Sequence, residues 1–435
     1  MALPAHPQSL DTDWGGLRQQ VLASVEAHQE HLITFLRALI QARSLTGQEG
    51  AAAAVCAAKL RELSLDVDAW EIDGAQLRSH PAANPSRFSY AGRPNVVGRY
   101  KGAAGGGGRS LLLNGHVDVV SPEPLDAWTR DPWGGEVKDN RLYGRGAMDM
   151  KGGIACMIIA LESVLAAGIR PAGDVLVECV IEEEEGVGNG TLGSLLRGYT
   201  ADACIVTEGT HLQVQPAMRG ALRWKITVPG SAAHGTEKWK GADAIEKGII
   251  VWQALRHFED AMSAIHTHPL YAGYPISIPV APDMFQAGVW RGMVPPECVI
   301  EGYLETLPGQ STAYWEDALR AYLRQVAASD PWLSTHPPRL DITERYEAYE
   351  ESLTDPFVAM MQQIASDVTG EAATLNGLNG GCDAYIRHVY GNSPTVIFGP
   401  SGGGAHGADE YVSVDQLRDA TRAMALAIVR WCGVA

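Results

Sequence analysis

Leu111-Leu112-Leu113-Asn114-Gly115-His116-Val117-Asp118 is the stretch on which the fold class turns. Three consecutive leucines read as a short buried strand, and the polar, chemically capable residues begin where the apolar run stops. The same arrangement recurs along the chain. Val175–Ile181 ends in Glu182-Glu183-Glu184-Glu185-Gly186, Ala203–Thr207 ends in Glu208, and Thr395–Gly399 leads through Pro400 and a glycine run to His406. Helical patterns alternate with these runs. Two helices are expected between about Leu17 and Leu63, where Leu32, Phe35, Leu36 and Leu39 recur at the 3.6-residue period. Short buried strands alternating with helices predict an α/β fold built on a mostly parallel sheet. Ligands of such sheets sit beyond the carboxyl ends of the strands, so these polar strand ends are expected to share one crevice.

From about Met218 to Leu333 the pattern changes. A strand is expected over Leu222–Val228, a helix over Ala242–Ala261, a strand over Cys298–Glu305 and an amphipathic helix over Ala313–Ala327. This predicts a small α+β unit of ferredoxin-like type, residues 218–333, inserted into a larger domain made of residues 1–217 and 334–435.

Composition narrows the function. With 435 residues the chain exceeds one ordinary core, and 46% hydrophobic with 20% charged residues is a globular composition. A formal net charge of -17 argues against a nucleic-acid partner, because phosphate backbones are bound by Lys and Arg. The seven cysteines are scattered and never at metal-ligand spacing, which fits reduced thiols in a cytoplasmic protein. Met1–Trp14 is polar and is not expected to act as a secretory signal. The most apolar stretch, Gly152–Ile169, is short and interrupted by Glu162, so no membrane span is expected.

The strand-end residues carry the chemistry. A fifth candidate joins them: Asp149, in Gly144-Arg145-Gly146-Ala147-Met148-Asp149-Met150-Lys151-Gly152-Gly153, just before an apolar helix. Histidines and carboxylates together suit paired Zn²⁺ or similar ions. Two such ions share a carboxylate and hold a hydroxide nucleophile, and a further carboxylate beside them can serve as general base. A serine hydrolase is disfavoured because no Gly-x-Ser-x-Gly elbow follows a strand. Nucleotide binding is disfavoured because Gly402–Gly404 lacks a Gly-Lys-Ser/Thr ending.

From about Leu111 to Tyr411 these motifs resemble, in order, spacing and local sequence, the metallopeptidase and deacylase family of acetylornithine deacetylase, succinyl-diaminopimelate desuccinylase, aminoacylase-1 and carboxypeptidase G. The resemblance implies a bimetallic catalytic domain with an inserted lid and dimerisation domain, hence a homodimer through residues 218–333. It implies one zinc held by His116 and Glu208, a second by Glu184 and His406, and Asp149 bridging both, with Co²⁺ or Mn²⁺ as possible substitutes. Asp118 would orient His116, as a carboxylate beside a ligating imidazole does. Glu183 would be the general base, and a cis peptide would follow Asp149. In Gly230-Ser231-Ala232-Ala233-His234-Gly235, His234 would cross a dimer interface to stabilise the oxyanion.

The run Glu182–Glu185 leaves two registers open. In one, Glu183 is the base and Glu184 the ligand; in the other, Glu184 and Glu185 take those roles. The chain also departs from the family. Several members carry a basic residue two positions before Leu307-Pro308-Gly309 to hold a substrate carboxylate, and this chain has Glu305. Arg219, Arg291 and Arg387 are the alternative candidates for such a clamp. The expected activity is zinc-dependent hydrolysis of an amide bond in a small N-acyl amino acid or related small molecule. Dipeptidase, carboxypeptidase and N-carbamoyl hydrolase activities stand as alternatives, with a catalytically silent metal-binding protein as the reading from another class. Glu183 beside Glu184 argues against silence, since a binding protein needs ligands and no base.

Overall fold

A computed structural model describes residues 14–103 and 107–435. The polar amino-terminal stretch and residues 104–106 of the glycine loop lie outside the described residues. The four apolar runs form neighbouring, mutually parallel strands in the order Val175–Val180, Leu111–His116, Cys204–Val206 and Thr395–Ile397. Their carboxyl ends therefore share one edge of the sheet. Antiparallel strands extend it on both sides. Pro94–Tyr100 and Asp66–Glu71 lie beyond Val175–Val180, and Val214–Met218 lies beyond Thr395–Ile397. Every residue of Leu111–His116 and Val175–Val180 is buried, as strands covered on both faces require.

Helices α1 (Trp14–Ala27), α2 (Gln29–Gln41) and α3 (Gly50–Glu62) open the chain, so the region expected to hold two helices holds three. The break between α2 and α3 passes through Gly47, whose φ of 95° is the left-handed region that glycine tolerates. After the short helix α4 (Gly74–Arg78) comes α5 (Gly152–Ala166), apolar apart from Glu162 and Ser163 because it lies between the sheet and helices α1 and α2. Burying Ile154, Ile158 and Ile159 contributes about 1.5–3 kcal/mol each. At its start α5 sits hard against the sheet. A Cβ on Gly153 would lie 1.9 Å from the Thr207 carbonyl oxygen, so only glycine lets this helix reach the strand that delivers Glu208. On the opposite face lies α6 (Asn189–Leu196), whose Thr191 bonds Asn114 of the central strand.

Helices α7 (Ala244–Ile265) and α8 (Thr312–Ala328) cover a second, four-stranded antiparallel sheet. Its order is Val280–Ala287, Glu297–Thr306, Gly220–Pro229 and Arg339–Tyr346. Burial alternates along Gly220–Pro229 and Glu297–Thr306, the mark of a sheet packed on one side only. Leu222, Trp224, Ile226 and Ile300 join Phe258 and Trp315 in a hydrophobic core separate from that of the large sheet. The expected end of the insertion at residue 333 falls short, because the edge strand Arg339–Tyr346 belongs to this sheet. That strand buries only Leu340 and is otherwise polar or half-exposed, so it carries almost no periodic signal.

Helices α9 (Pro356–Thr369) and α10 (Val414–Cys432) return the chain to the large domain, where α10 packs along α5. A third small sheet pairs Tyr411–Ser413 with Arg141–Tyr143. It brings the His406 loop beside the Asp149 loop, two segments more than 250 residues apart in sequence. Among the described residues no helix is long and apolar enough to cross a membrane.

Candidate metal centre

His116 ends its strand fully buried, and its ring is held from behind. Nδ1 lies 3.0 Å from the Asp118 carbonyl and 3.6 Å from the Asp118 carboxylate. The main-chain carbonyl is thus the hydrogen-bond acceptor, and the carboxylate expected to orient the ring stands slightly further off. That carboxylate instead accepts from the backbone N–H groups of Glu183 and Glu184, both at 3.1 Å, and from the Thr46 hydroxyl at 3.0 Å. Burial alone would raise the Asp118 carboxyl; His116 and these backbone donors hold it below the usual carboxylate range.

The other ring nitrogen of His116 faces acids. Nε2 is 3.2 Å from Asp149 Oδ1, 3.5 Å from Glu208 Oε1 and 3.8 Å from Glu183 Oε2. The second oxygen of Asp149 lies 3.1 Å from His406 Nε2, which is itself 3.0 Å from Glu184 Oε2. Two groups result, His116–Asp149–Glu208 and Asp149–Glu184–His406, and they share Asp149. His406 is 56% exposed, so the centre opens to solvent on its side.

The acidic run is split by its backbone. Glu182 takes a φ of 60° and points away into a buried cluster with Arg93 and Asn189. Glu183 and Glu184 turn toward the histidines, while Glu185 faces outward to pair with Arg87. This places Glu184, not Glu185, in the cluster, and leaves Glu183 beside His116 but in neither group.

The Asp149 loop is gripped by a residue that the sequence reading did not single out. The buried Glu410 carboxylate accepts from the backbone N–H groups of Gly146 at 2.9 Å, Met148 at 2.9 Å and Asp149 at 3.1 Å. Arg145 adds a charge-assisted bond at 2.6 Å. No apolar run precedes Glu410, so it carried no sequence signal beyond its place four residues after His406. The Asp149–Met150 peptide is cis.

The donor chemistry fits divalent cations. Burial and the neighbouring Asp149 charge push Glu184 up to about 7, and the same causes raise Glu208. Burial also raises Glu183. Hydrogen bonds to Asp149 and Glu184 push His406 up to about 10. Burial opposes the charge on Asp149 too, but His116 and His406 together hold its carboxyl low. So many acids gathered out of water need positive charge in their midst, which two dications would supply through these same atoms.

The remaining candidates lie elsewhere. Arg387 is buried, bonded to the Glu178 carboxylate and to the Tyr199 carbonyl at 2.6 Å, so it braces the sheet and is not available to a substrate. Arg219 is likewise buried. It lies 3.3 Å from Glu305, bonds Asn379 Oδ1 at 3.0 Å, and donates to the carbonyls of Ser277 and Ile276. The acid in the place of the family's basic residue is therefore paired internally. Arg291 is exposed on a loop of the small sheet. His234 is exposed on the small domain, bonded to Thr236.

Residues 112–430 match the model of peptidase family M20/M25/M40. The chain belongs to this family. It is therefore a metal-dependent hydrolase of amide bonds. Across 95% of its length, and 97% of the relative's, it is 27% identical to N-formyl-4-amino-5-aminomethyl-2-methylpyrimidine deformylase of Halalkalibacterium halodurans. It is 28% identical to succinyl-diaminopimelate desuccinylase of Gluconacetobacter diazotrophicus over 92% of this chain and 97% of that one. Its fold is similar to that of the Bacillus subtilis YxeP protein, described as a dinuclear metal-binding peptidase of the M20 family. That likeness has a TM-score of 0.61 at 15% identity and covers 93% of this chain and 99% of the other.

The grip of Glu410 on the Asp149 loop gives a direct expectation. Glu410→Gln should weaken metal retention about 10–100-fold, the usual cost of losing a residue that orients a metal ligand. Chelator competition against the wild-type protein measures it, and unchanged retention would show that Asp149 needs no such support.

Proposed function

We propose that this chain is a two-zinc deacylase that removes a small acyl group from the nitrogen of a small-molecule amide, an N-acyl amino acid or a similarly built amine. The observation that carries the reading is the Asp149 carboxylate, with one oxygen toward each histidine and Glu183 3.8 Å from His116 outside both groups. His116, Asp149 and Glu208 would hold one ion, and Asp149, Glu184 and His406 the other. Two imidazoles and three carboxylates without a thiolate suit zinc, with cobalt or manganese as substitutes. When bound, the ions supply Lewis-acid polarisation of the acyl carbonyl and acidify the attacking water.

The chain's own groups do the rest. Glu183 takes the proton from the attacking water and returns it to the departing nitrogen. Burial raises its carboxyl above the ordinary range, toward the pH at which such a base can both accept and give up a proton. The internal pairing of Arg219, Arg387 and Glu305 supports a substrate that is not held by a carboxylate clamp at those positions. The names of the two relatives, a deformylase and a desuccinylase, support short acyl groups. The seven cysteines, all free and buried, support a reducing, cytoplasmic setting.

His234 is proposed as the oxyanion donor, supplied across a homodimer by the domain built around residues 218–333. The Thr236 N–H points at His234 Nδ1 at 3.3 Å, which makes Nδ1 an acceptor and leaves the proton on Nε2, facing outward as a donor. Trp239, Val289 and Trp290 on the same domain are 74%, 75% and 79% exposed, an apolar surface suited to a second copy.

Two measurements test this reading. Glu183→Gln should keep its metal and lose about 10²–10⁴-fold in kcat on the best of a panel of N-formyl, N-acetyl and N-succinyl amines, whereas Glu184→Gln should lose metal. Full turnover in Glu183→Gln sinks the base assignment, and a panel cleaved more slowly than dipeptides sinks the deacylase reading. Mixing inactive Glu183→Gln with inactive His234→Ala under subunit exchange should restore activity at one site of each mixed dimer. Verified exchange with no recovery rules out the trans role of His234.

A further inference from the structure

A second group of metal-type side chains lies toward the end of α5 remote from Asp149. His28 at the junction of α1 and α2, His31 in the first turn of α2, and Glu162 on α5 place one ligand atom each within 4.8 Å of one another. Each is prepared differently. His28 Nδ1 lies 2.7 Å from the Ser24 carbonyl, so this nitrogen carries the proton and Nε2 is left with its lone pair and a fixed ring direction. His31 is more than half exposed and gives an ion a path from solvent.

Glu162 is only 8% exposed and its two oxygens are unequal. Oε1 lies 3.0 Å from the Lys59 ammonium and 3.2 Å from His31 Nδ1. Oε2 is buried with no hydrogen-bond partner among the described residues. Glu162 therefore keeps acceptor capacity that Lys59 and His31 do not fill.

We propose that His28, His31 and Glu162 bind a divalent transition-metal ion of zinc type, at a peripheral site independent of the Asp149 centre. Two imidazole nitrogens favour zinc over magnesium or calcium, and a water can complete the tetrahedron on the exposed side. Lys59 does not block the site. It also lies 3.0 Å from Glu62, so it keeps a carboxylate partner when Glu162 turns to the ion. With both histidines neutral, Glu162, Glu62 and Lys59 leave a net negative charge that attracts a cation.

The place of the site suggests its effect. At the other end of the same pair of helices, the buried Lys151 ammonium donates to the carbonyls of Leu39 at 2.7 Å and Ala42 at 3.1 Å, at the end of α2. Thus α2 and α5 run antiparallel, tied at the Asp149 end by Lys151 and at the far end by the histidine–Glu162 group. An ion there would close the second tie and fasten the amino-terminal helices onto α5.

The experiment counts ions. Full-length protein is stripped with a chelator, titrated with Zn²⁺ and read by native mass spectrometry alongside His31→Ala, Glu162→Gln and His116→Ala. His31→Ala and Glu162→Gln should each bind one zinc fewer than wild type with unchanged kcat at saturating zinc, and His116→Ala should retain the peripheral ion. The difference between wild type and variant does not depend on how many ions the Asp149 centre takes. Equal zinc counts in wild type and His31→Ala would overturn the proposal. Because His31 is exposed, that variant keeps the test open even if Glu162→Gln fails to fold.

Discussion

One carboxylate must satisfy two histidines delivered by distant parts of the chain, and most of the large domain can be understood as the means of putting it there. Asp149 directs Oδ1 to His116 and Oδ2 to His406. His116 comes from the central strand of the parallel sheet, while His406 comes from a loop held by a separate small sheet. Neither could meet the same carboxylate unless the Asp149 loop were pinned between them. Glu410 does this by collecting three of that loop's backbone N–H groups, and Gly153 does it by letting α5 sit directly on the strand that ends at Glu208.

Gathering acids out of water is unfavourable, and the structure spreads the cost over several layers. Asp118 sits under the centre and uses its charge to hold the backbone of Glu183 and Glu184, so the acidic run is oriented through its main chain before its side chains take part. The neighbouring Glu182 is drawn the other way, into a buried group with Arg93 and Glu49, which keeps its charge away from the histidines. Asn114, two residues before His116, bonds Glu178, which Arg387 neutralises from behind the sheet. These ionic groups are buried with their partners, the condition under which such pairs hold geometry instead of weakening it.

The parallel core was legible because each strand is apolar throughout and each ends in a chemically distinctive residue. His116, Glu208, the Glu182–Glu185 run and His406 announce themselves at the ends of Leu111–His116, Val175–Val180, Cys204–Val206 and Thr395–Ile397. What was not legible lacks that contrast. The edge strand Arg339–Tyr346 alternates charges with few apolar residues, so the insertion read as ending too early. Thr46 bonds the Asp118 carboxylate and Glu410 the backbone of the Asp149 loop, partners far off in sequence that no local pattern records. The arginines failed for the opposite reason. A guanidinium suits a substrate carboxylate and a buried glutamate equally well, and only the fold shows that Arg387 is already bound to Glu178.

The sharing of Asp149 is the claim on which the metal chemistry stands, and anomalous-difference maps from zinc-loaded crystals, recorded across the zinc edge, test it most directly. Two peaks about 3.5–4 Å apart are expected, with Asp149 between them, His116 and Glu208 on one and Glu184 and His406 on the other. A single peak, or two peaks of which Asp149 touches only one, would contradict it.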